Sequence, residues 1–486
     1  MAEFWRSARA WHAAVLAIAV FSSFILFNVQ NGVLSGDEVF YYFQAQHLKQ
    51  GEMVWFEYTQ PLLTPLVLSL FPTANSVLLK LVYSALLFSL SAMLVFMLAE
   101  KVFDRKAAIV ASLVFILHKE TIVLAGWLYT EALFVFLLLL SFLLFYEVYL
   151  REKGGVEWWK HALLGVAIGL AVQTRVVGLV IPLFFAIVLL VKQRSKFFDP
   201  KFIACLLLAG LISIPAVFLG GLNFVSEKSG GIHLIDNFVG LFYNAPGYLT
   251  LPFICLFALS LFTTRQEKET PLLYFVPYYL SLLFLLSNQF FARYLYVIVP
   301  FAAIFIGKLF GSIEFKPIDS RDGLKHVLGG PRAWVVLLLL AVFLGQTVYS
   351  AQWLPGGLSQ NYYLELPLGC EEVKEFECSC YGYIFNEKIS LPYFAMPTGS
   401  HCNLNAAFAL EEDKNVIYLG YIDDWGRVSV DGGPQIKTRD MWEPTEIEQR
   451  LSKGNHTISI DLTNGLNIGG LGQLLFCKDK ITSRRQ

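Results

Sequence analysis

Charge is the scarcest resource in this sequence. Asp, Glu, Lys and Arg make up 15% of 486 residues, while apolar residues make up 56%. Soluble domains carry roughly a quarter charged residues, so a water-soluble globule of this size is excluded and a lipid environment is required. The formal net charge is −1 and no basic tract interleaved with aromatics occurs, which leaves no polyanion-binding surface and no nucleic-acid partner. The first apolar run lacks a small-residue cleavage site before Gly36-Asp37-Glu38, so it reads as a first span and not as a removable leader. Cysteine is nearly absent before residue 350: only Cys205 and Cys255 fall there, both inside apolar runs.

What is present is a series of apolar stretches near the roughly 20 residues that a bilayer requires. Candidate spans are 11–28, 76–100, 106–119, 130–150, 161–174, 176–191, 202–219, 246–262, 272–286, 294–311 and 333–350, about eleven in all. The stretch 161–191 holds Gln173-Thr174-Arg175 in its middle and is flanked by basic loops on both sides, Arg151, Lys153 and Lys160 before it and Lys192, Arg194, Lys196 and Lys201 after it. Positive loops stay in the cytoplasm, so two crossings lie between them. Lys101, Arg105 and Lys106, then Arg265 and Lys268, then Lys316, Arg321, Lys325 and Arg332 fall on that same side. The N-terminus is therefore expected inside and the C-terminal region outside. The domains expected are a transmembrane one, 1–350, with a first outer loop at 29–75, and a soluble extracytoplasmic one, 351–486.

This topology gathers isolated ionisable residues on the outer side, where they are costly and mark function by default. Asp37 and Glu38 open an amphipathic helix with Tyr41, Ala45 and Leu48 on one stripe, suited to a membrane interface. Ser35 and Glu38 have capping-box spacing, which gives Glu38 a structural alternative to a role as second carboxylate. Asp37, about 100° away on the helix, can act as a base. Glu131 heads an apolar span and either complements the helix dipole or serves as a second carboxylate. Arg175 and Arg293 sit at outer boundaries, where each could snorkel to headgroups or clamp a lipid phosphate by charged hydrogen bonds. His118 and Lys119 read as interfacial residues.

The ordered pieces Gly36-Asp37-Glu38-Val39-Phe40-Tyr41, Gln60-Pro61-Leu62, Tyr129-Thr130-Glu131-Ala132-Leu133-Phe134, Gly169 through Arg175, and Arg293-Tyr294-Leu295 with Val299-Pro300-Phe301 resemble the GT-C superfamily of integral-membrane glycosyltransferases. The resemblance is especially to the branch that contains protein O-mannosyltransferases and the lipid A aminoarabinose transferase. One proline at Pro61 replaces the pair frequent in the family. The resemblance implies a sugar donor joined to a polyprenyl or dolichyl phosphate, and an acceptor hydroxyl on a protein, glycan or lipid at the non-cytoplasmic face. It casts Asp37 as general base, with Arg293 and Arg175 on the departing phosphate, in a single inverting displacement. A divalent metal shared by Asp37 and Glu131 is compatible with oxygen ligands from different helices. Two other classes fit the composition: a transporter or flippase of a lipid-linked saccharide, and a membrane-anchored glycan-binding protein.

From Asn415 the sequence alternates and turns like a small β-sandwich of jelly-roll type, with Asp431-Gly432-Gly433-Pro434 as its strongest turn. Trp425 or Trp442 could stack on a sugar, and core packing is the plainer role for both. Asn455-His456-Thr457 is a glycosylation sequon. Five of seven cysteines, Cys370, Cys378, Cys380, Cys402 and Cys477, fall in this region, which fits disulfides in an exported domain. The spacing of Cys378 and Cys380 does not suit zinc.

Overall fold

The computed structural model describes residues 8–28, 37–49, 63–73, 76–151, 157–216, 249–264, 272–286 and 292–311. Towards the C-terminus it describes the strands between 371 and 476 with the turns 413, 431–435 and 452–453. The chain forms two compact units. One comprises Met1–Ile25, Tyr58–Thr64 and Leu79–Ala351, and the other Leu26–Glu57, Pro65–Leu78 and Gln352–Gln486.

The first unit is helical. Along the chain run α1 (Ala8–Asn28), α2 (Asp37–Lys49, in the second unit), α3 (Leu63–Ser69), α4 (Lys80–Val102), α5 (Arg105–Ile116), α6 (Lys119–Ala125) and α7 (Thr130–Leu150). They are followed by α8 (Trp158–Thr174), α9 (Val176–Lys192), α10 (Pro200–Ala216), α11 (Leu251–Thr264), α12 (Leu272–Leu286) and α13 (Tyr294–Gly311). Helices thus occupy the expected spans from 11–28 to 294–311, while 333–350 lies outside the described residues. Among the described residues, α4, α7 and α13 are each long and apolar enough to cross a membrane. The pair α5 and α6, bent by 60°, makes a fourth if it counts as one broken span. The chain is an integral membrane protein.

Small residues let the helices approach. Gly307 of α13 sits against the backbone of α5, where an added Cβ would collide with the Ala107 carbonyl oxygen. Gly169 of α8 leaves room for Ile212 of α10, whose Cβ would lie 2.6 Å from a new methyl. With no hydrophobic drive between helices in lipid, such close approaches supply the van der Waals attraction. A phenylalanine cluster fills the space between α7, α9, α12 and α13: Phe142 meets the rings of Phe185, Phe275 and Phe301 at 4.7–5.0 Å.

The second unit holds α2, the end of α1 from Leu26, most of α3 from Pro65, and the strands. Tyr41, Tyr42 and Ala45 of α2 are buried together with Glu38, which is 0% exposed. Their spacing of three and four residues puts them on one helical face. The main sheet has six strands in the order β3 (Lys388–Ser390), β2 (Glu375–Tyr381), β5 (His401–Leu410), β10 (Gly454–Thr463), β7 (Trp425–Val430) and β8 (Ile436–Lys437). Three two-stranded pairs accompany it: β1 (Glu371–Glu372) with β12 (Leu475–Phe476), β4 (Phe394–Met396) with β11 (Gly469–Leu471), and β6 (Lys414–Gly420) with β9 (Thr445–Leu451). Val428, Val430, Ile458 and Ile460 are buried at alternating positions of β7 and β10.

Asp431 and Gly432 adopt φ values of 51° and 66° in the turn after β7, so a glycine suits the second position. The Asp431 carboxylate then accepts from the Thr457 N–H at 2.7 Å and from His456 Nδ1 at 2.6 Å, while His456 Nε2 lies 2.7 Å from the Ser452 carbonyl oxygen. Acceptors at both ring nitrogens select the imidazolium form.

Candidate functional site

The chain breaks at Arg175 between α8 and α9. This residue is extended (φ −156°, ψ 128°), its N–H closes α8 on the Ala171 carbonyl at 3.0 Å, and its own carbonyl accepts from the Gly178 N–H at 2.7 Å. The backbone is thereby clamped on both sides, and the side chain turns toward the head of α7. There Tyr129 is extended and provides no side-chain cap, which leaves the first-turn N–H groups facing Glu131.

Arg175 Nη1 donates to Glu131 Oε1 in a direct ion pair whose side chains are 14% and 4% exposed. Thr130 Oγ1 donates to the other carboxylate oxygen at 3.3 Å and lies 3.5 Å from the same guanidinium nitrogen. The guanidinium carbon stands 5.2 Å from the centre of the Tyr294 ring, at the head of α13. Tyr279 of α12 donates to the Tyr294 carbonyl at 3.2 Å. Four helix ends therefore converge on one buried acid–base pair, with an aromatic face under the cation. A buried charge of this kind persists only when paired and hydrogen-bonded.

The same end of the unit holds further buried polar groups. Tyr296 donates to Thr121 Oγ1 at 2.9 Å, and Tyr83 reaches Thr64 Oγ1 at 3.4 Å. Glu120 is buried with Lys119 3.6 Å away, and Lys80 is fully buried at the head of α4. His118 is buried as well, its Nε2 3.4 Å from the Leu249 carbonyl and its ring edge-on to Phe253 at 4.6 Å. His118 thus packs inside the helical unit, at the junction of α5 and α6.

The residues expected from sequence divide accordingly. Glu131 and Arg175 are brought together. Arg293 lies in the 3₁₀ turn Ala292–Ile298, one residue before Tyr294, and its side chain lies outside the described residues. Asp37 opens α2 in the other unit, its side chain likewise outside the described residues, whereas Glu38 sits on the buried face of that helix. Trp425 begins β7 with its side chain not among those described, and Trp442 lies outside the described residues altogether. Sequence reasoning passed over Thr130, Tyr294 and Tyr279 as site residues. Thr130 and Tyr294 stand inside the quoted motifs, next to Glu131 and Arg293, while Tyr279 has no sequence signal distinct from an aromatic span.

No group of three His, Cys, Asp or Glu able to hold a metal occurs among the described residues. Each Glu131 oxygen accepts a hydrogen bond, one from Arg175 and the other from Thr130; the Asp37 side chain expected to share a divalent metal with it lies outside the described residues.

Comparison with known proteins adds a partial family-model match and a likeness of fold. The family model for dolichyl-phosphate-mannose-protein mannosyltransferase matches residues 47–229, a stretch that contains both Glu131 and Arg175. No curated protein matches by sequence. Among solved structures, the apo oligosaccharyltransferase of Archaeoglobus fulgidus is similar at 14% identity and a TM-score of 0.50, covering 72% of this chain and 56% of that one. The same archaeal enzyme, AglB, with an inhibitory peptide and a dolichol-phosphate gives 14% identity and 0.49 over the same shares. ArnT from Cupriavidus metallidurans bound to undecaprenyl phosphate gives 14% and 0.48, covering 72% of this chain and 73% of that one. The chain spans a little over half the length of the oligosaccharyltransferase. The family-model match over 47–229 agrees with the resemblance read from the sequence, and the likeness to the apo oligosaccharyltransferase is one of fold.

Proposed function

We propose that this protein transfers a sugar from a polyprenyl- or dolichyl-phosphate-linked donor to an acceptor hydroxyl at the non-cytoplasmic face of the membrane, with inversion in a single displacement. The observation that carries this reading is the buried Arg175–Glu131 pair at the converging helix heads, inside the stretch matched by the mannosyltransferase family. Mannose is a compatible sugar, and protein, glycan and lipid hydroxyls are all chemically suitable acceptors.

In this reading about eleven spans form the transferase domain, 1–350, with the outer loop 29–75. The region 351–486 is an extracytoplasmic β-sandwich whose Trp425 and Trp442 are candidates to meet a glycan. The acceptor oxygen attacks the anomeric carbon while Asp37 takes its proton, and such general-base help is worth about 10²- to 10⁴-fold. The bond to the lipid phosphate breaks, and its developing charge falls on Arg293 and Arg175. Glu131 and Thr130 fix the Arg175 guanidinium in advance, so little reorganisation accompanies the charge development. Glu38, buried on its helix, supports the orientation of the helix that bears Asp37.

The buried groups Lys80, Glu120, Glu131 and Arg175 gather at helix heads and not midway along α4, α7 or α13, which supports a face-located reaction over a transport path. The test is transfer from a panel of radiolabelled polyprenyl-phosphate sugars by purified protein with membrane extract as acceptor. Wild type should transfer, and Asp37→Asn should lose transfer while still binding donor. Equal transfer by both would sink Asp37 as base, and no transfer from any donor would favour a flippase, checked by donor translocation in vesicles.

A further inference from the structure

Five cysteines fall in the C-terminal region, and the strand register sorts them. Cys380 of β2 and Cys402 of β5 are directly opposed in an antiparallel ladder that runs from Glu377 opposite Asn405 to Tyr381 opposite His401. Opposed residues of such a pair have Cα atoms about 4.5–5.5 Å apart. That falls within the roughly 4.4–6.8 Å over which a disulfide closes without backbone movement. Cys378, two residues earlier, stands opposite Leu404 and has no opposed thiol in this ladder.

We propose that Cys380 and Cys402 form a cross-strand disulfide joining β2 to β5, with Cys378 outside this pair. The pair loses two protons and two electrons by thiol–disulfide exchange. The acceptor is a protein or small-molecule disulfide of the exported compartment, which leaves as the dithiol. Two cysteines at opposed ladder positions suit a disulfide and fall short of the four ligands of a structural zinc site. The inference rests on the outward placement of this unit in the proposed function.

The test keeps the pairing and the placement separate. Full-length protein is expressed in its membrane, blocked with N-ethylmaleimide, purified and digested without reductant. A Cys380–Cys402 cross-linked peptide that disappears with dithiothreitol is expected, and Cys402→Ser should make Cys380 alkylatable. In parallel, Lys437→Cys at an exposed strand position is probed in intact cells with a membrane-impermeant maleimide. Labelling of that position combined with alkylated Cys380 and Cys402, or with either linked elsewhere, overturns the pairing. If that position is shielded in intact cells but the purified protein forms the 380–402 link in glutathione redox buffer, the pairing stands and the outward placement falls. Zinc release on thiol modification without a cross-linked peptide also overturns it.

Discussion

The two ends of the helical unit are built from the same helices and treat charge in opposite ways. At one end the heads of α7 and α13 and the tail of α8 enclose Glu131 and Arg175, with side chains 4% and 14% exposed and Tyr294 under the cation. At the other, the tails of α4 and α7 carry Lys101, Glu147 and Arg151, with side chains 28%, 20% and 38% exposed. Lys196 donates to the Tyr149 carbonyl at 2.6 Å there, and Tyr146 donates to the Lys101 carbonyl at 2.9 Å. A half-exposed network of this kind costs little and contributes little, typically about 0–1 kcal/mol for each pair. A dry pair carries a desolvation penalty of several kcal/mol for each ion, which solvated charges at the same position would avoid. The contrast identifies the dry end as the one whose composition needs a reason beyond stability.

The comparison breaks most readily at Arg175. Arg175→Met should reduce sugar transfer by about 10²- to 10³-fold and destabilise the protein by about 3–5 kcal/mol by stranding Glu131. Arg151→Met at the wet end should change stability by less than about 1 kcal/mol and leave transfer intact. Initial rates and thermal unfolding of both variants decide it, and equal losses would erase the distinction between the ends. Adding Glu131→Gln to Arg175→Met should restore part of the stability but none of the transfer. A coupling of about 0.5–3 kcal/mol is expected from the double-mutant cycle.

Packing offers the next largest effect. Gly307→Val forces a side chain into the Ala107 carbonyl and should cost about 1–3 kcal/mol. Val299→Ala at the head of the same helix creates only a small void and should cost less. Tyr294→Leu removes the ring beneath Arg175 and should weaken its hold by about 0.5–2 kcal/mol, read as a several-fold fall in kcat.

The smallest effect belongs to the β unit, through Asp431 and His456. The hydrogen bond to Asp431 raises the His456 pKa above its ordinary 6.5, with the Ser452 carbonyl and the Asp431 charge adding to it against an opposing desolvation. Desolvation is the largest single influence on Asp431 and pushes it up, but the hydrogen bonds from His456 and Thr457 together with the His456 charge outweigh it and hold its pKa below the ordinary 3.8. A raised histidine pKa stabilises fully below about 6.5 and fades as pH rises through the folded value; a lowered carboxylate pKa stabilises above about 3.8 and fades as pH falls through the folded value. The latch is thus strongest between about pH 4 and 6.5. The unfolding temperature of this unit should decline modestly from pH 6 to 8, and His456→Gln should flatten that decline. Because the Asp431 side chain is 39% exposed, the change should be a few degrees at most.

Much of the architecture was legible because lipid imposes a coarse rule. Apolar runs of fixed length must be helical, and helices occupy the stretches that hydropathy marks from 11–28 to 294–311. The Asp431-Gly432 turn was equally readable, since its positive φ values demand that chemistry. Of the candidate site, Glu131 and Arg175 could be named as outer ionisable residues, but their union could not, because they stand 44 positions apart on helices whose mutual rotation no periodicity specifies. The buried histidine shows the same gap: His118 sits where α5 gives way to α6, and only the 60° bend and the approach of Phe253 turn it inward.

Composition and loop charge by themselves determined that this is a membrane protein with a separate β-rich region near its C-terminus, since scarce charge and long apolar runs admit no other solvent. Only the tertiary structure decided that Arg175 is spent on Glu131 and backed by Tyr294, that Glu38 lies on a buried helical face, and that Cys380 stands opposite Cys402. The physical reason is common to all three. Sequence spacing fixes which residues share a face of one helix or strand, whereas the rotation and register between elements are set by many small packing contacts that no local pattern encodes.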